Sequence, residues 1–173
     1  MSADDADSLH LHLLRHAKSS WDDGSASDRE RGLNNRGRRD APRMGAYLSG
    51  YLAPMPVHAS PALRAQLTLG GLCDGWQALS DQPHYTVEAL YTFSASEVID
   101  WLREEGTGKS MFLIGHNPAF TELVNWVAGR PALDNLPTAG YVHLALTVSR
   151  WADLEPGCGD IRRYQFPREL ADA

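Results

Sequence analysis

The sequence predicts an α/β protein, specifically a three-layer α/β/α sandwich with a mostly parallel central sheet. Short apolar runs of strand length alternate with segments whose apolar residues recur at helical spacing, which is typical of such folds. The length of 173 residues suits one domain with a substantial core, and no repeat or linker divides it. We therefore expect residues 1–8 to form a disordered tail and residues 9–173 to form a single domain.

The first half of the chain is predicted to contain two strands, a long loop and two helices. Residues 17–35 are polar and rich in Gly, Ser, Asp and Asn, which is typical of an irregular loop. Ser60-Pro61 carries the N-cap and N1 signature of a helix. The predicted elements are a strand over 9–14, a helix over 36–52, a strand over 56–59 and a helix from Ser60 through Thr68.

The second half alternates helices and strands more clearly. Residues 70–87 scatter Gly, Asp, Gln and Pro among single hydrophobic residues and predict no element. Ser94 and Glu97 match a capping box, and Gly106 is expected to end the helix that they begin. The later predicted elements are a strand over 111–114, a helix over 118–128, a strand over 141–148 and a short strand over 161–166.

The charge and the cysteine content exclude several classes of protein. A net charge of −6 argues against a nucleic-acid or anionic-membrane partner. The two cysteines, Cys73 and Cys158, lack metal-ligand spacing and are predicted to be free thiols of a reducing compartment. The acidic N-terminal residues lack the apolar run of a signal peptide, and no segment approaches the roughly 20 apolar residues of a membrane span. We expect a cytoplasmic protein, preferentially a monomer, with neither a metal nor another cofactor.

Two of the predicted strands are each followed within two residues by a histidine. Arg15-His16 follows the first strand, His116 follows the strand over 111–114, and Arg64 lies early in the helix that follows the strand over 56–59. Ligands of open α/β sheets bind at the carboxyl ends of the strands. Arginine forks bind phosphoryl oxygens, and a neutral imidazole is a nucleophile near pH 7. The pattern predicts a site for a phosphoryl group.

These residues lie in motifs that resemble a known family. Leu13-Leu14-Arg15-His16-Ala17-Lys18-Ser19-Ser20-Trp21 is similar to the signature of the histidine phosphatase (phosphoglycerate mutase-like) superfamily. Ala17, where glycine is commoner, points to the SixA-type phosphohistidine phosphatases. Further similar motifs are Arg31-Gly32-Leu33-Asn34-Asn35-Arg36-Gly37, Ser60-Pro61-Ala62-Leu63-Arg64-Ala65, Glu88-Ala89-Leu90-Tyr91, Gly115-His116-Asn117-Pro118 and Leu136-Pro137-Thr138-Ala139-Gly140.

The resemblance implies a phosphoglycerate mutase-like fold and a role for each of these residues. His16 would be the nucleophile, Arg15 and Arg64 would hold the phosphoryl oxygens, and His116 would stabilise the transition state. Glu88 stands roughly where related enzymes carry a general acid, with a structural or solvated role as the alternative. Asp22 occupies a position where larger members carry asparagine, and a carboxylate there would repel a phosphoryl dianion.

The predicted function is that of a metal-independent phosphatase with a phosphohistidine intermediate, acting on phosphohistidine or small phosphomonoesters. Its expected partner is a phosphorylated small molecule or a phosphohistidine protein. Two alternatives remain open: a phosphoglycerate mutase-like phosphotransferase, and a non-catalytic phosphate-binding regulatory module.

Overall fold

In the computed structural model, which describes residues 8–22 and 24–170, the strands assemble into one six-stranded sheet. They are β1 (Leu9–Arg15), β2 (Val57–Ala59), β3 (His84–Thr86), β4 (Ser110–Gly115), β5 (Tyr141–Leu146) and β6 (Gly159–Gln165), in the sheet order β3-β2-β4-β1-β5-β6. The neighbours β3, β2, β4 and β1 pair in parallel, whereas β5 pairs antiparallel with β1 and with β6. The predicted mostly parallel sheet is confirmed. Of the predicted tail, residues 1–7 lie outside the described residues.

Helices cover both faces of the sheet. They are α1 (Asn35–Ser49), α2 (Leu63–Gly75), α3 (Ala95–Glu105) and α4 (Ala119–Ala128). Successive side chains of a strand point to opposite faces. Leu11 and Leu13 of β1 accordingly pack with α3 and α4, and Leu14 packs with α1 and α2. This gives the three layers that the sequence predicts. Within residues 8–22 and 24–170, none of the helices is both long enough and apolar enough to cross a lipid bilayer.

Glycines let α1 and α2 pack closely. A Cβ atom on the buried Gly45 would lie 2.9 Å from the carbonyl carbon of Leu72, and one on Gly71 would lie 2.5 Å from Cβ of Ala41. Carbon atoms in contact are normally about 3.5–4.0 Å apart. The two helix axes can therefore approach only because these positions lack a side chain.

The predicted bounds of α2 are wrong at both ends. The helix begins at Leu63, with Ala62 in the N-cap position, and it continues through the glycines to Gly75. Ser60 does not cap it, because the Ser60 hydroxyl accepts from the amide of Ala62, before the first turn, and also contacts a histidine that follows β4. Glycine disfavours a helix in an isolated segment, but Gly71 and Gly75 lie against α1, and this packing stabilises the helix there.

Smaller differences occur elsewhere. The unassigned residues 70–87 contain the end of α2, a 3₁₀ turn at Gln77–Asp81 and the edge strand β3. Ser94 occupies the N-cap position of α3 but makes no side-chain capping bond, since its hydroxyl pairs with that of Ser96. The remaining predicted helices and strands are present, with ends that differ by a few residues.

Histidines and tyrosines fill the face of the sheet beneath α1. The buried His12 contacts the Tyr141 hydroxyl through Nδ1 at 2.7 Å, and His143 lies beside it with 4.4 Å between ring centroids. The same His143 bonds the Tyr51 hydroxyl at 2.7 Å. Burial, followed by the charges that His143 and His10 would carry, lowers the pKa of His12 to about 3. His12 is therefore uncharged at neutral pH.

Candidate active site

The carboxyl ends of three parallel strands bring the predicted residues together. His16 follows β1, Ser60 follows β2 and His116 follows β4, while Arg64 lies in the first turn of α2. Backbone bonds hold these ends in register: the amide of His16 donates to Gly115, and that of Ser60 donates to Ile114. His16, Arg64 and His116 are all buried. The structure thus assembles the cluster that the sequence predicts.

His16 presents an unprotonated nitrogen to the cluster. Its Nδ1 lies 2.8 Å from the carbonyl oxygen of Ala17. A carbonyl can only accept, so Nδ1 carries the proton and Nε2 keeps its lone pair. Burial lowers the pKa of His16 to about 3, with further lowering by His116, Arg64 and Arg15 and an opposing effect of the Ala17 carbonyl. His16 is therefore a neutral imidazole at neutral pH, as a nucleophile must be.

Arg64 links the two histidines. Its Nε donates to Nε2 of His16 at 3.4 Å, and its Nη2 lies 3.3 Å from Nδ1 of His116. A threonine one turn further along α2 fixes the backbone here: the Thr68 hydroxyl donates to the carbonyl of Arg64 at 2.6 Å and accepts from the amide of Ala17 at 2.9 Å. Thr68 therefore ties the segment after the nucleophile to the helix that carries the arginine.

His116 is oriented by Ser60. Because Arg64 can only donate, Nδ1 of His116 is the acceptor, and Nε2 donates to the Ser60 hydroxyl at 2.7 Å. Burial and the nearby Arg64 lower the pKa of His116 to about 4. The ring is held with Nδ1 facing the guanidinium of Arg64.

Arg15 supplies a second guanidinium. Its Nη1 donates to the carbonyl of Leu136 at 2.9 Å, whereas its buried Nε has no hydrogen-bond partner among the described residues. Burial and the neighbouring Arg64 lower the pKa of Arg15 below its ordinary value. A buried donor without a partner is rare in folded proteins, and an anion bound beside it would satisfy it.

A loop carboxylate reaches into the same cluster. Oδ2 of Asp28 accepts from Nη2 of Arg64 at 3.1 Å and from the Tyr91 hydroxyl, and Oδ1 accepts from Nη1 of Arg31 at 2.9 Å. Burial opposes ionisation of Asp28, but the bond from Tyr91 and the bond and charge of Arg64 outweigh it. The pKa of Asp28 accordingly falls to about 2.

The two other candidate carboxylates contact different residues. Both oxygens of Glu88 accept from Arg29, at 2.6 and 2.8 Å, and the Glu88 side chain is 70% exposed. The hydrogen bond from Arg29 lowers the pKa of Glu88. Asp22 is exposed, and its amide donates to the Ser20 hydroxyl at 3.2 Å. The structure thus joins neither carboxylate to the His16 cluster by a hydrogen bond.

Sequence reasoning missed the contributions of Ser60, Thr68 and Asp28. Ser60 follows β2 just as the histidines follow their strands, and this position could have indicated a role in the site. Asp28 lies in an irregular loop and contacts residues 36 and 63 positions away, so no local pattern marks it.

Comparison with known proteins identifies the class. A family model of the histidine phosphatase superfamily, branch 1, matches residues 11–91. An uncharacterised protein of Mycobacterium tuberculosis is 31% identical over 166 residues, which cover 90% of this chain and 100% of that protein. The chain belongs to the histidine phosphatase superfamily, and this membership supports a phosphatase role.

Solved structures place the fold beside SixA proteins. A SixA-type protein of Agrobacterium tumefaciens matches with a TM-score of 0.77 and 21% identity, over 92% of this chain and 98% of that one. The protein histidine phosphatase SixA complexed with tungstate matches with a TM-score of 0.74 and 24% identity, over 94% of this chain and 100% of that one. The predicted resemblance to this branch is confirmed at the level of the fold.

Proposed function

We propose that this protein is a metal-independent phosphatase that works through a phosphohistidine intermediate on His16. The observation that carries the proposal is the unprotonated Nε2 of a buried, neutral His16, which lies 3.4 Å from Nε of Arg64. A neutral nucleophile beside fixed positive charge suits attack on a phosphoryl dianion. The roles of individual residues below belong to this proposal.

In the first step, Nε2 of His16 uses its lone pair to form a bond to phosphorus. The bond from phosphorus to the leaving oxygen or nitrogen breaks, and the leaving group takes up a proton from solvent water. Arg64 and the unpartnered Nε of Arg15 hold the phosphoryl oxygens, because guanidinium forks bind such oxygens in pairs. The hydrogen bond from Nδ1 of His16 to Ala17 keeps the ring in the reactive tautomer.

His116 stabilises the negative charge on the equatorial oxygens. Its Nδ1 faces Arg64 and accepts from it when the site holds no phosphoryl group. A dianion between the two groups favours a proton on Nδ1, which then donates to a phosphoryl oxygen. In the second step, water attacks phosphorus, the bond to Nε2 breaks, and phosphate and neutral His16 are released.

The proposed substrates are phosphohistidine and small phosphomonoesters. The fold is shared with the protein histidine phosphatase SixA, which supports phosphohistidine as a candidate. A phosphoramidate leaving group is protonated readily and needs less help from a general acid. This fits a site in which Glu88 is held by Arg29.

Phosphate release in excess EDTA tests the proposal. A phosphohistidine peptide and p-nitrophenyl phosphate are incubated with the wild-type protein and with His16→Ala. We expect EDTA-resistant release by the wild type and its loss in the variant. Release that requires a divalent cation, or that persists in a folded His16→Ala, would contradict the mechanism. A folded wild type that releases no phosphate from either substrate would overturn the proposed function.

A further inference from the structure

We propose that Asp28 is the resident ligand of the phosphoryl pocket and determines which anions enter it. In this proposal a phosphoryl dianion displaces the Asp28 carboxylate from Arg64, whereas a simple carboxylate cannot. The inference rests on the proposed function, because it takes Arg64 as the residue that holds the phosphoryl group. It adds a selectivity-determining residue that neither touches phosphorus nor transfers a proton.

Four of the five N–H groups of Arg64 already have an acceptor. Nη1 donates to the backbone carbonyl of Asp28 at 2.6 Å, and Nη2 donates to its carboxylate at 3.1 Å. Nε faces Nε2 of His16, and Nη2 also contacts His116. A phosphoryl group can therefore bind both N–H groups of Nη2 only by replacing the carboxylate as well as the contact with His116.

Asp28 is ionised when its carboxylate is bound to Arg64. Two guanidinium groups and a phenol hydroxyl donate to its oxygens, and its pKa lies at about 2. The carboxylate thus stands in for one charge of the phosphoryl group. If it stayed in place beside a bound dianion, the two groups would repel each other across a few ångströms.

The side chain can leave while the loop stays attached. The carbonyl of Asp28 remains available to Nη1 of Arg64, and the next carbonyl, that of Arg29, accepts from the amide of Leu63 at 2.8 Å. The Asp28 side chain is 43% exposed, whereas that of Arg64 is 2% exposed. Rotation of Asp28 about its side-chain bonds moves the carboxylate towards water without moving the backbone.

Tethering explains the selectivity. A group fixed to the loop has a high effective concentration at Arg64, so a free carboxylate of equal charge gains little by exchange. A phosphoryl dianion carries more charge and more oxygens, and it can contact Arg64, Arg15 and His116 together. Asp28 therefore keeps weakly binding anions out and also favours release of product phosphate when it returns.

Isothermal titration calorimetry with inorganic phosphate at pH 8 tests the inference. Asp28→Asn keeps the shape and removes the charge, and we expect its dissociation constant for phosphate to fall about tenfold or more. Asp28→Ala also vacates the space, so acetate should compete with phosphate in this variant and not in the wild type. Glu30→Gln is the matched control, because this exposed carboxylate lies in the same loop.

The outcomes distinguish an effect of the Asp28 carboxylate in the pocket from a general effect of removing one negative charge from the loop. Tighter phosphate binding in both Asp28 variants, with Glu30→Gln unchanged, supports the inference. Equal or weaker binding in the Asp28 variants overturns it, as does an equal gain in Glu30→Gln. Because binding is measured without turnover, an inactive wild type would overturn the proposed function while this comparison still decides the role of Asp28.

Discussion

The close approach of α1 and α2 can be tested with alanine at two glycines, one inside the contact and one outside it. A Cβ atom at Gly45 would meet the backbone of Leu72, at 2.9 Å from the carbonyl carbon and 3.0 Å from Cα. At the exposed Gly70 a Cβ atom would have no neighbour within 4 Å. Both substitutions replace glycine by alanine, but we expect them to change the free energy of unfolding in opposite directions.

The magnitudes follow from these distances. Carbon atoms in contact lie about 3.5–4.0 Å apart, so Gly45→Ala would push the helices apart by roughly 0.5–1 Å. Overpacking usually costs about 1–3 kcal/mol, and the upper end, about 3 kcal/mol, applies at Gly45 because no rotamer change relieves a clash with backbone. Alanine regains about 1 kcal/mol of helix propensity, leaving a net loss of about 2 kcal/mol. Gly70→Ala keeps only the gain, about 0.5–1 kcal/mol.

Urea denaturation followed by circular dichroism measures both effects. Gly45→Ala should lower the unfolding midpoint, and its Tm should fall by about 4–8 °C. Gly70→Ala should raise both slightly. If Gly45→Ala were neutral, or if both variants shifted in the same direction, the described packing of α1 on α2 would be wrong.

Three further predictions concern the site and its surroundings. Thr68→Val should lose about 1–3 kcal/mol in urea denaturation, because the buried amide of Ala17 loses its acceptor; wild-type stability would contradict this bond. Stability should also depend on pH, since the pKa of His12 is near 3 in the folded state and near 6.5 when unfolded. The unfolded chain then binds more protons between these values, so the free energy of unfolding should fall as pH drops from 6.5 towards 3; a flat profile in urea titrations would refute this. Glu88→Gln should change kcat for phenyl phosphate, whose leaving oxygen must gain a proton, by less than about threefold, because Arg29 holds that exposed carboxylate; a loss of about 100-fold would instead identify a general acid.

The sequence predicts those parts of the site that depend on local pattern. His16 and His116 each follow a buried apolar run, and parallel strands deliver both to the same edge of the sheet. The length of α2 could not be predicted, because the helix continues past Gly71 where that residue packs against α1, and this contact is not visible in the sequence. Asp28 could not be predicted either, since its contact with Arg64 depends on the path of an irregular loop.

In the proposed mechanism, a phosphoryl group is transferred to Nε2 of His16. The most direct test is to quench the wild-type protein during turnover of a phosphohistidine peptide or p-nitrophenyl phosphate and to map the phosphorylated residue by mass spectrometry. We expect an acid-labile, base-stable phosphate on His16, formed as fast as turnover and absent in His16→Ala. Turnover without this phosphoenzyme, or with the phosphate on another residue, would contradict it.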